Sequence, residues 1–101
     1  MARGACIWAH QAAEKGIKAL LVARDVDPPK LHDLDRLVAQ LPEDDSTVFE
    51  ELDLPELTRW AIEGRYPADL DEATSADAGR AIELARSVIN AVDGRVAGSA
   101  R

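Results

Sequence analysis

The sequence predicts an all-α domain, and three observations carry that expectation. Read at 3.6 residues per turn, Ala9, Ala12, Ala13, Gly16, Ile17 and Leu20 share one side of a helix, while Gln11, Glu14, Lys15 and Lys18 share the other. No stretch alternates apolar and polar residues with β-branched side chains, so no strand is expected. The four aromatics are Trp8, Phe49, Trp60 and Tyr66, which leaves a core of Ala, Leu, Ile and Val suited to close-packed helices.

The chain of 101 residues is one domain with a modest core, and an apolar content of 47% argues against wholesale disorder. The net charge of −7 is uneven. Residues 1–40 are close to balance, residues 41–77 are strongly acidic, and residues 78–101 are slightly basic. Such a chain is no general polyanion binder, because phosphate affinity needs clustered Lys and Arg. A local site within residues 1–40 stays open, and the acidic middle suits a basic partner surface. The lone Cys6 excludes an internal disulfide and a thiolate metal cluster, and its apolar neighbours place it in the core. With no signal peptide and no run long enough to cross a bilayer, the chain is expected in the cytoplasm, without membrane contact.

The first helix is expected over residues 4–24, with Glu14 and Lys18 as a favourable i,i+4 pair. It has no clear N-cap and runs at once into Cys6-Ile7-Trp8. That start predicts an upstream helix missing from the bundle and a groove to be filled by another helix, from a second copy. Asp27-Pro28-Pro29 forces an extended turn. Leu34, Leu37, Val38 and Leu41 give a helix over residues 32–41, with Asp33 in its first turn and Pro42 as its stop. Asp45 or Ser46 is expected to cap a short helical turn reaching about residue 52. Pro55 restarts a helix whose stripe is Leu57, Trp60 and Ala61, with Gly64 at its end. Thr74 or Ser75 caps the last helix. Its seam is Ala78, Ile82, Ala85, Ile89 and Val92, and Gly94 closes it, leaving residues 1–94 as the domain and 95–101 as a flexible tail.

Conventional enzyme and metal motifs are missing, so neither a cofactor nor a metal is expected. His10 and His32 are the sole imidazoles and do not share ligand spacing on one helix. Arg3 and His10 form a weak Arg-x6-His spacing that a metal-independent ribonuclease can use, and they are the catalytic candidates. His32-Asp33 reads either as a ligand contact or as support for a helix start. Arg65-Tyr66-Pro67 offers a guanidinium fork and a ring in a stiff turn, or an arginine paired with the acidic loops around it.

Taken in order, Gln11-Ala12-Ala13-Glu14-Lys15-x-x-Lys18-Ala19-Leu20-Leu21, His32-Asp33-Leu34 and Arg65-Tyr66-Pro67 resemble the HEPN domain family (higher eukaryotes and prokaryotes nucleotide-binding), over about residues 5–92. The resemblance implies an antiparallel, up-and-down four-helix bundle with its first helix largely missing, usually a homodimer. Small prokaryotic members are often encoded beside a minimal nucleotidyltransferase as toxin–antitoxin pairs. Family ribonucleases carry Arg-x4–6-His on a late helix, whereas here no histidine follows Arg65. The leading expectation is a non-catalytic domain that binds a nucleotide or nucleic-acid end through Lys15, Lys18, His32, Asp33, Arg65 and Tyr66, and partners a nucleotidyltransferase. A ligand-free interaction or dimerisation module and a metal-independent ribonuclease are the alternatives.

Overall fold

The computed structural model describes residues 2–62 and 72–99. Two long helices frame the molecule: α1 (Ala2–Ala23) and, closing the chain, α5 (Ser75–Ser99). Between them come the short helices α2 (Leu34–Val38), α3 (Glu43–Ser46) and α4 (Leu54–Thr58), with a 3-10 turn at Thr47–Phe49. No strand occurs among the described residues, and no helix among them is long and apolar enough to cross a membrane. Arg65 and Tyr66, and the expected stop at Gly64, lie outside the described residues.

α1 and α5 lie side by side and run in the same direction. Ala2 and Arg3 sit with Ala73 at one end. Gly16 faces Ile89 and Val92 midway, and Arg24 reaches the Arg95 carbonyl at the other end. Gly16 permits the approach: a Cβ built there falls 2.8 Å from Ile89 Cδ1. From α1 the core takes Cys6, Ala13, Ile17, Leu20 and Leu21; from α5 it takes Ala81, Leu84, Ala85, Val88 and Val92. The short helices close it with Leu34, Leu37, Phe49, Leu54, Leu57 and Trp60. Cys6 is buried among these groups, and burial pushes its thiol pKa up.

Local chemistry explains the boundaries. α1 ends at Ala23, four residues before Asp27, because Asp25 takes a left-handed φ of 59°. Its N–H bonds the Val22 carbonyl, and the Val26 N–H reaches back to Leu21. This is the Schellman pattern, with Asp25 where glycine is commonest. Asp33 is the N-cap of α2, not a first-turn residue, and accepts from the Arg36 N–H at 3.3 Å. The helix it starts is shorter than expected, closing at Val38 and continuing as turns through Gln40. α3 begins at Glu43 behind Pro42; Ser46 stands at the N-cap position of the 3-10 turn that follows but makes no side-chain capping bond, and Asp45 is not a cap. Asp53 caps α4 through the Glu56 N–H. Thr74 and Asp77 cap α5 reciprocally, each side chain accepting from the other's N–H.

Two expectations about α5 are corrected. Its expected seam holds in part: Ala85 and Val92 are buried, but Ile82 is 40% exposed, and Ala81, Leu84 and Val88 fill the core beside them. The helix also passes Gly94 and continues to Ser99. A helical glycine costs about 1 kcal/mol relative to alanine, and here the following residue is tied down. Asp45, nearly sealed from solvent, takes Arg24 Nε at 2.6 Å and Arg95 Nε at 2.7 Å. One carboxylate thus clamps α1, α3 and α5 together.

The guanidinium of Arg24 beside it, opposed by burial and reinforced by Arg95, lowers the Asp45 carboxyl to about 2. The folded carboxyl titrates below its unfolded value, so this stabilisation is whole above about pH 4. It is lost as the pH falls through about 2. Asp45→Asn removes the charge that Arg24 and Arg95 share and is expected to cost about 3 kcal/mol in urea unfolding at pH 7, with a flatter loss of stability in acid. Gly16→Leu is expected to cost about 2 kcal/mol by wedging α1 from α5, read as a lower thermal midpoint.

Candidate functional site

The polar edge of α1 places His10, Glu14 and Lys18 one turn apart in a single row. The Schellman turn and Pro28-Pro29 fold the following segment back along that row, bringing His32 to it from 18 residues beyond Glu14. His32 is held at two points. Its carbonyl accepts from His10 Nε2 at 2.8 Å, and its ring Nδ1 lies 3.0 Å from Glu14 Oε1. The second Glu14 oxygen takes Lys18 Nζ at 3.0 Å. The carbonyl fixes Nε2 as the protonated nitrogen of His10, and the carboxylate requires Nδ1–H on His32.

Burial grades across the cluster. The His10 ring is fully enclosed and the Glu14 side chain is 11% exposed, whereas Lys18 and His32 reach 26% and 36%. His10 Nδ1 is buried without a hydrogen-bond partner, which suits an unprotonated nitrogen far better than an N–H. Burial pushes the Glu14 carboxyl up, but the hydrogen bonds and charges of His32 and Lys18 outweigh it, so its pKa falls below the ordinary value. The product is an ionised, nearly buried carboxylate that orients one imidazole and one ammonium toward the surface. The ammonium donates to an anionic oxygen as it stands, whereas the His32 ring, with Nδ1–H given to Glu14, donates from Nε2 only as the imidazolium.

Of the candidates from sequence, Lys18 and His32 therefore meet on one carboxylate. Asp33 points its carboxylate into the α2 cap. Lys15 is exposed on α1, one residue round from the row. Arg3 is half-buried near Ala73, two turns from His10. Among the described residues no group of three His, Cys, Asp or Glu side chains could hold a metal ion.

Glu14 is the member that sequence reasoning missed as a centre. Its signal was present: His10, Glu14 and Lys18 stand at i, i+4 and i+8, so one carboxylate can address both neighbours. The Arg24–Asp45–Arg95 clamp had no such signal, because its members lie 21 and 50 residues apart.

The fold and the site define a helical domain with a carboxylate-anchored imidazole and ammonium at one edge. The family model described as HEPN domain matches residues 2–95, and the chain belongs to the HEPN domain family. No curated protein and no solved structure matches the chain.

Glu14→Gln keeps the shape of the hub and removes its charge. It is expected to cost about 1 kcal/mol in urea unfolding at pH 7. Because the folded carboxyl titrates below its unfolded value, that cost shrinks as the pH is lowered through the carboxylate range.

Proposed function

We propose that this HEPN domain is a non-catalytic, cytoplasmic binding domain. It takes the phosphate of a nucleotide or nucleic-acid end at the Glu14–His32–Lys18 cluster and works beside a minimal nucleotidyltransferase in a toxin–antitoxin pair. The observation that carries the reading is a single carboxylate holding an imidazole and an ammonium from separate segments at a part-exposed edge. Family membership supports it at the level of the domain. The Lys18 ammonium supplies point charge and the His32 ring, as the imidazolium, a directional Nε2–H donor, while Glu14 limits the freedom of both, so little ordering remains to be done on binding. One carboxylate beside one ammonium and one imidazole leaves at most a single net positive charge, which favours a single phosphate over a long polyanion.

The reading is non-catalytic because His10, the imidazole in the Arg3-x6-His10 spacing, is sealed from solvent with Nε2 committed to a backbone carbonyl. A proton shuttle needs a ring within reach of substrate. A second reading, an interaction module that needs no small ligand, draws on the apolar trough between α1 and α5, where Trp8 and Ile82 stand exposed beside Ala12 and Ala85.

Titration with ATP and short RNA separates the two. The expected result is saturable binding that weakens about tenfold in Lys18→Gln and in His32→Ala. No binding at millimolar ligand, with helicity intact, would overturn the phosphate reading.

A further inference from the structure

We propose that the trough between α1 and α5 is a binding site for a small amphiphilic carboxylate, an acyl chain of medium length whose head group is held by Arg86. The trough has a volume of about 450 Å3, within the range of about 300–1,000 Å3 typical of small-molecule sites. Ala5, Ala12 and Ala85 line it, with Trp8, Ile82 and Ile89 as its large side chains. Trp8 is 71% exposed, so an indole face stands open to an apolar guest. The trough lies on the opposite side of α1 from Glu14, because residues 5, 8 and 12 are about half a turn round from residues 10, 14 and 18.

The polar groups at the trough select the sign of the ligand. Two line it, the Arg86 guanidinium and the Asn90 carboxamide, one turn apart on α5. No acidic side chain is among the lining residues. The other two arginines of α5 are engaged, Arg80 by Asp53 and Arg95 by Asp45. Arg86 is exposed and has no acid partner among the described residues. A guanidinium fork beside an amide N–H2, next to an apolar surface, matches a carboxylate at the end of a hydrocarbon and rejects an ammonium there.

The dimensions select the body of the ligand. Ala5 to Ala12 on α1 and Ile82 to Asn90 on α5 are two turns each, so the trough is about 11 Å long. A strip of that length and one side chain wide offers on the order of 100 Å2, far below the ~800 Å2 per partner of a stable protein pairing. It ends against polar residues, Lys15 one turn beyond Ala12 and Asn90 beside Ile89. A short, narrow apolar channel with a cation at its rim fits an extended acyl chain better than a helix. The site shares no residue with the Glu14 cluster, so it stands or falls independently of the phosphate reading.

Titration of the full chain with decanoate, below its micelle point, tests this by calorimetry and tryptophan emission. The expected result is saturable binding with a blue shift, since Trp8 is open to solvent while Trp60 is already buried. Decanol, with the same chain and no charge, is expected to bind about tenfold more weakly, and octanoate about fivefold more weakly than decanoate. Arg86→Gln is expected to bring decanoate and decanol level. Ala12→Glu, at an exposed position, is expected to abolish both with unchanged helical circular dichroism. Absence of saturable binding at millimolar decanoate overturns the proposal, and so does exclusion of decanoate by a second copy or another helix seated on the trough. Decanol binding the wild type as tightly as decanoate, or a preference for the acid that persists in Arg86→Gln, overturns it equally.

Discussion

Glu14 is the constraint on which the site depends. A carboxylate this enclosed is costly unless its lone pairs are used, and here both oxygens are engaged, one by the His32 ring and one by Lys18. The pairing does more than neutralise a charge. It fastens the segment after α1 against α1 itself, and so decides where α2 begins. His10 completes the attachment from below by bonding the His32 carbonyl. The Leu34 N–H in turn reaches Thr58 Oγ1, which carries the same anchoring on to α4. One short row of side chains therefore sets the path of two later helices.

α1 serves three environments at once. Its small and aliphatic residues enter the core, its polar row builds the site, and its alanine and tryptophan seam faces outward. A helix with so little unassigned surface tolerates few changes, which fits its tight contact at Gly16. At the far end, Asp45 holds α1 and α5 in register through two arginines. The clamp and the Glu14 hub follow the same rule: a buried carboxylate persists where two cation-capable groups meet it.

Much of the helical organisation was legible because it rests on local chemistry. The period of Ala13, Ile17, Leu20 and Leu21, the restart of a helix at Pro55 and the Thr74 cap are properties of neighbouring residues. The HEPN membership was likewise carried by short ordered segments. What could not be read depends on distance or phase. Asp45 looked like a cap because the sequence does not show Arg24 and Arg95 arriving beside it. α5 passes Gly94 because Arg95 is held by that same carboxylate. Ala85 and Val92 of the expected α5 seam do face inward, but Ile82 does not, and only the packing shows Ala81, Leu84 and Val88 completing the buried stripe. In the site, Lys18 and His32 were legible as chemistry, but their meeting point on Glu14 needed the turn at Asp25.

The central claim is that Glu14 and His32 act as one unit and not as two separately satisfied side chains. A double-mutant cycle in urea unfolding, comparing Glu14→Gln, His32→Ala and the pair, measures this directly. The expected result is a coupling on the order of 1 kcal/mol. Effects that add to within about 0.3 kcal/mol would contradict it.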